Sequence, residues 1–386
     1  MKPMHRPGFV AQNYRAGGSS CPAVSAPQGA CVVARWMAVL VGVLIALTAS
    51  PAPAHAASYT TPGGLTVESP QGDRCWDYSE DERILFITAD AAGQNPHIKV
   101  SGTTSTERIV IMLQGIGQVV DITFRDLHID ASSLSGAAVQ WRGGRNSLHD
   151  SVSMIRLTLE GKSSLVSPSG YAGFQKDVYH SYKESLLHNW NPGSNILTKP
   201  EVGSTDPWLH ILGNGTLEAT GGDGGAGIGG GEGCRALQIA IGSSDGSSNP
   251  TVVATGGNGA AGIGGGRGAY WEGIDESKFG PKTQGTQLYF YSGTVTATGG
   301  TYAAGIGGGQ YGRGENIWIS GGEIKAVNGG DNGNAGAAIG AGAEAGAHNI
   351  FVTGGTVHAV AQAHGGFTGG AFQPAYPFGE QMNERW

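Results

Sequence analysis

The chain has 386 residues, of which 69 are glycine and only 14% are charged, and its formal net charge is −7. So little charge excludes a disordered acidic chain, and so much glycine excludes a helical domain. The glycines cluster, 48 of them falling between residues 211 and 370 without a three-residue period, which excludes collagen and predicts at least two regions of different character.

The first element is a targeting segment. Arg35 and Trp36 precede the apolar run Met37 to Ala49, and Ala54-His55-Ala56 then places small residues at alternate positions, as signal peptidase requires. The run is short of the roughly 20 residues that span a bilayer. Residues 1–56 are therefore predicted to be an N-terminal extension and signal peptide, leaving a secreted chain with no stable membrane span. Removal of four basic and no acidic residues leaves 23 − 4 = 19 basic against 30 acidic, a net charge of −11. That balance argues against a nucleic-acid partner, which needs clustered Lys and Arg. Cys75 and Cys234 remain, and an oxidising compartment permits them to pair.

Residues 57–84 are read as an N-terminal segment or cap, and residues 85–208 as degenerate coils of a solenoid. "IKVSGT" from Ile98, "IVIML" from Ile109 and "VVDITFRDLHID" from Val119 alternate apolar and polar residues, the mark of half-buried strands. In the last of these, Asp126, His128 and Asp130 project together if Leu127 and Ile129 face inward. That makes them an alternative catalytic face, since paired carboxylates are what glycoside hydrolysis uses. Asp126 and Asp130 would stand about 13 Å apart along a strand, so a third carboxylate from another coil would be needed. Residues 155–174 then run strand, turn, strand, loop and end in Ala172-Gly173-Phe174.

An insertion at 178–208 concentrates aromatic residues, among them Trp190 and Trp208. Beyond it, residues 209–362 repeat openly. One strand recurs as "LHILG", "LQIAIG", "LYFYSG", "IWISGG" and "IFVTGG", and a second as "TLEAT", "TVVAT", "TVTAT", "EIKAV" and "TVHAV". The second strand is always aliphatic at its second position and Ala at its fourth (Ala219, Ala254, Ala297, Ala326, Ala359). Glycine loops follow, with isoleucines at 228, 263, 306 and 339. They read as turns, with room in each unit for a third strand. A second insertion at 269–287 carries Tyr270, Trp271 and Glu272, and residues 363–386 read as a tail or cap. Long loops on a rigid scaffold are where binding tends to reside, so Trp190, Trp208, Tyr270, Trp271 and Glu272 are the candidate ligand-binding residues.

Units of this kind bury their apolar faces only by stacking. The expected fold is all-β, a right-handed parallel β-helix with glycine-rich turns. Gly225-Ala226-Gly227-Ile228-Gly229-Gly230 matches the dinucleotide fingerprint, but no amphipathic helix follows to hold a pyrophosphate. A Walker lysine, the aspartate of calcium nonapeptide repeats and any zinc-ligand spacing are likewise missing. The expectation is no cofactor and no metal.

The succession "GTLEATGGDGGAGIGGG", "TVVATGGNGAAGIGGG" and "TVTATGGTYAAGIGGG" resembles the glycine-rich repeat region of secreted and surface proteins of Gram-positive bacteria of the carbohydrate-binding-domain type. The resemblance spans roughly residues 95–362. It implies an extracellular β-solenoid in contact with polysaccharide or cell-wall glycan, and it supplies no catalytic residues to carry over. The expected role is noncatalytic, glycan binding or an extracellular structural or adhesive scaffold. The alternative is a β-helical polysaccharide-degrading enzyme, a glycoside hydrolase or polysaccharide lyase.

Overall fold

The computed structural model describes residues 58–69, 75–88, 97–113, 119–143, 154–178, 208–268, 284–330 and 335–361. All of them belong to the unit Ala54–Trp386, one of two into which the chain divides, the other being Met1–Pro53. The signal-like segment, Trp190, Tyr270, Trp271, Glu272 and the C-terminal tail lie outside the described residues.

The described residues form a parallel β-helix whose coils have three walls. The first wall stacks His97–Thr104, Val119–Asp130, Met154–Glu160, Trp208–Gly213, Arg235–Ile241, Gly285–Phe290, Gly314–Ile319 and Ala347–Val352, one strand per coil from the first to the eighth. The second wall is built from the far ends of the first two of these strands. It continues through Lys162–Val166, Thr216–Thr220, Thr251–Thr255, Thr294–Thr301, Glu323–Gly329 and Thr356–Val360. Every one of these contacts is parallel.

The repeat maps directly onto this stack. Leu217, Val252, Val295, Ile324 and Val357 are register partners, as are the five alanines two residues on. Both columns point into the core, where an aliphatic side chain buried whole contributes about 1.5–3 kcal/mol. In the earlier coils the alanine column continues as Leu165 and Ile129, so the interior is wider there.

The third wall corrects the reading of the glycine loops as turns. Ile228–Gly229, Ile263–Gly264, Ile306–Gly307 and Ile339–Gly340 are short strands, hydrogen-bonded coil to coil in a sheet that continues through Phe174–Gln175, Val139–Gly143, Arg108–Leu113 and Ile84–Thr88. Each isoleucine is buried in the core. Gly229, Gly264 and Gly307 are required, because the next coil's backbone passes where a side chain would begin. At Gly307, with φ +131°, a Cβ would lie 1.8 Å from the Gly340 carbonyl oxygen.

The N-terminal end is closed by a hairpin, Ser58–Thr60 with Leu65–Glu68, laid antiparallel on the first coil. Fully buried Glu107 fastens it, accepting hydrogen bonds from the Thr61 hydroxyl, from Gly63 N at 2.7 Å and from the Tyr78 hydroxyl at 2.5 Å. Burial, together with the Glu107 carboxylate, pushes the Tyr78 phenol up to about 12. Cys75 and Cys234 are both buried and form no disulfide with each other, since one precedes the first coil and the other opens the fifth.

Candidate functional site

Leu127 and Ile129 face inward, and His128 and Asp130 stand together on the outer face of the second wall, whereas Asp126 sits at the corner before them. Alternation holds along Val119–Asp130 up to Phe124, then Arg125 and Asp126 are exposed in succession before Leu127 turns inward. Arg125 pairs with Ser101 and Leu127 with Gly102, so Asp126 is an extra, bulged residue with φ +48° at the corner between the first and second walls. Its Oδ1 accepts a hydrogen bond from Lys162 N at 3.0 Å and so holds the tight turn of the next coil. Asp130 is equally committed, its Oδ1 accepting from Ser132 N at 3.1 Å. Hydrogen bonds from the Ser132 side chain and backbone hold its carboxyl below the usual range, which opposes a role as proton donor.

His128 stands between them on the second wall, with Nδ1 2.8 Å from Ser164 Oγ. It lines an open depression of about 490 Å³ with Thr104, Thr106, Asp130 and Ser164, beneath Pro62 and Gly63 of the capping hairpin. Among the described residues no group of three His, Cys, Asp or Glu is placed to hold a metal ion.

Trp208 leads to a different surface. One outward column of the first wall passes through His97, Asp121, Arg156, His210, Ala240, Tyr289, Trp318 and Phe351, register partner to register partner. Its first three members are ionic: Asp121 holds Arg156 through Nε at 2.5 Å and Nη2 at 2.6 Å and meets His97 Nδ1 at 3.3 Å. From the fourth coil onward the column is neutral and, except at Ala240, aromatic.

The small Ala240 explains how the rings meet. It leaves room over the fifth coil, so that Trp208 from the fourth and Tyr289 from the sixth close above it with centroids 5.4 Å apart. Tyr291 stacks beside Tyr289 at 6.3 Å and 16°, and His210 lies 6.4 Å from Tyr291. Trp318 and Phe351, one coil apart, have centroids at 4.8 Å. Trp208 and Tyr289 are buried, whereas Tyr291, Trp318 and Phe351 are half-buried and keep ring surface in solvent.

Electrostatically the strip is uncharged. Burial holds His210 below its ordinary range, and its Nε2 lies 2.7 Å from the Gly242 carbonyl, so that nitrogen carries the proton of a neutral ring. Burial pushes the Tyr289 phenol up to about 12 and raises that of Tyr291.

The strip is aimed by a second column just before it, at the corner leading in from the third wall. Gln238, Gln287, Asn316 and Asn349 take left-handed φ values of +58°, +56°, +53° and +56°, and Asn349 Nδ2 donates to Asn316 Oδ1 at 3.0 Å. These positions lie within the first-wall strands, opposite one another coil on coil, and turn each strand into the wall at the same point. Beside them Gln284 Nε2 donates to Glu315 Oε2 at 2.5 Å, and burial raises the Glu315 carboxyl above its usual range. Both aromatic insertions are spliced into this same connection, between the third-wall strand of one coil and the first-wall strand of the next.

Of the residues singled out from sequence for ligand binding, Trp208 alone is described, and it belongs to the strip. His210, Tyr289, Tyr291, Trp318 and Phe351 were missed. Their signal was present in "LHILG", "LYFYSG", "IWISGG" and "IFVTGG", whose second position, outward in each, bears a ring while the inward positions are aliphatic or Phe290.

A family model described as a beta helix repeat matches residues 209–232, 248–267 and 291–310, which fall in the fourth, fifth and sixth coils. No curated protein and no solved structure matches the chain.

Proposed function

We propose that this chain is a secreted, noncatalytic glycan-binding β-helix whose ligand lies on the outer face of the first wall. The observation that carries the reading is the aromatic strip from Trp208 to Phe351. Flat rings held in fixed orientation on a rigid sheet offer the apolar faces that sugar rings cover, at small entropic cost. Secretion rests on the segment Met37 to Ala56, and an extracellular glycan is a ligand such a chain would meet.

The test is retardation of the secreted chain in native gels cast with soluble polysaccharides, paired with an assay for released reducing or unsaturated ends. Retardation that Trp318→Ala abolishes, without turnover, is the expected outcome. Turnover that Asp130→Asn removes would instead establish the polysaccharide-degrading alternative. No retardation by any glycan would leave only a structural or adhesive scaffold.

A further inference from the structure

We infer that the ligand is an unbranched, uncharged polysaccharide lying along the solenoid axis across the fourth to eighth coils. The inference rests on the glycan-binding reading above and narrows its substrate class.

Direction comes from the register. Trp208, Tyr289, Trp318 and Phe351 stand on successive or near-successive coils, and each coil adds one strand spacing, about 4.8 Å. The strip therefore extends about 19 Å along the axis from the fourth to the eighth coil, while across it the rings that keep surface in solvent, His210, Tyr291, Trp318 and Phe351, occupy only two columns. The second column is Tyr291, Ser320 and Thr353, aligned by the bonds Tyr291 N to Ile241 O, Ser320 N to Phe290 O and Thr353 N to Ile319 O. A surface that is long along the axis and two side chains wide fits a single chain of rings, and a branch would meet the small Ser320 and Thr353 with no ring beneath it.

Charge follows from what the outward positions hold. The first wall of these coils presents Trp208 at the corner and, past it, His210, Leu212, Ala240, Tyr289, Tyr291, Trp318, Ser320, Phe351 and Thr353, with no Asp, Glu, Lys or Arg among them. His210 is neutral and both tyrosines keep their protons. A uronate or sulfate laid here would lose water and find no cation to replace it, which disfavours charged chains. Arg156 at the lower end does not relieve it, because Asp121 already holds that guanidinium with two bonds.

The experiment compares unbranched neutral oligomers of cellulose, xylan, mannan and chitin, from two to eight units long, with oligogalacturonates of the same lengths, by calorimetry on the full secreted chain. At least one neutral series should tighten with length and level off near four to five units, with the galacturonates at least tenfold weaker. Trp318→Ala and Tyr291→Ala should each weaken the neutral ligand at least tenfold with an unchanged far-ultraviolet spectrum. Ser320→Lys and Thr353→Lys, at exposed positions that remove no packing, should recruit the galacturonates. Equal or tighter binding of galacturonates by the unaltered chain, or affinity already complete at two units, would overturn the inference while leaving glycan binding standing. Binding of no oligomer in either series would overturn the glycan-binding reading itself.

Discussion

The first three coils and the last five build the same first wall from different chemistry. In the early coils the outward residues satisfy one another. Asp121 joins Arg156 and His97, and Glu160 takes Arg125 at 2.7 Å and Lys99 at 3.4 Å. In the later coils the outward residues are rings that pack edge and face, an arrangement worth about 0.5–1.5 kcal/mol per pair and one that leaves ring surface exposed. A surface closed by its own ion pairs has little left to offer a ligand, whereas a stacked aromatic surface remains open to another ring. The interior changes at the same place, from Leu165 and Ile129 to a column of alanines.

The sharpest break of this comparison is on the third wall. Gly307→Ala should cost about 4 kcal/mol or more, because a Cβ there would meet the backbone of the next coil and the φ of +131° disfavours any L side chain. The corresponding position in the second coil is Gln140, aligned through Gln175 and Gly229, and Gln140→Ala should change stability by less than about 1 kcal/mol. Denaturant unfolding of both variants measures the contrast, and equal losses would refute the claim that only the later coils need glycine.

The core column offers the next largest pair. Leu165→Ala empties the wider interior and should destabilise by about 2–5 kcal/mol. Ala254→Leu overfills the narrower one and should destabilise by about 1–3 kcal/mol. These substitutions exchange the residues of one column between its two halves. A stabilising Ala254→Leu would mean that the later interior has room to spare.

The first two walls could be read from sequence because each strand is long enough to show period two, and because Ala219 and its counterparts repeat in every unit. The third wall could not, since a two-residue Ile-Gly strand has no period and glycine conceals its own conformation. The bulge at Asp126 left a trace, with Phe124 and Leu127 three apart where alternation requires two, but which of Arg125 and Asp126 turns the corner depends on pairing with Ser101 and Gly102. The aromatic strip was hidden differently. Tyr289, Trp318 and Phe351 are separated by 29 and 33 residues but His210 and Tyr289 by 79, so no constant spacing marks them, and their alignment is a property of the stacked ladder, which sets His210 against Ala240 and Ala240 against Tyr289.

A smaller effect is expected from the ionic end of the column. Arg156 and Asp121 form a bidentate pair at a partly exposed site, so a double-mutant cycle with Arg156→Met and Asp121→Asn should give a coupling of about 1 kcal/mol that shrinks at high salt. Neither substitution should alter glycan affinity, because both residues lie below the strip. A loss of affinity on replacing Arg156 would move the boundary between the two regions.

The smallest effect lies where the regions meet, at His210. Burial first, and then the Arg156 charge, hold its folded value below the ordinary 6.5, against the opposing pull of its bond to Gly242. Between the folded value and 6.5 the unfolded chain binds the extra proton, so stability rises with pH across that window. The contribution is fully present above 6.5 and is lost as pH falls towards the folded value. His210→Gln should flatten the dependence in this window, and Arg156→Met should narrow the window by removing a neighbouring positive charge. Thermal melts from pH 5 to 7 with an imidazole proton titration distinguish the cases. A His210 that titrates above 6.5 in the folded chain would make the strip cationic at its lower end and remove the electrostatic difference between the two halves of the wall.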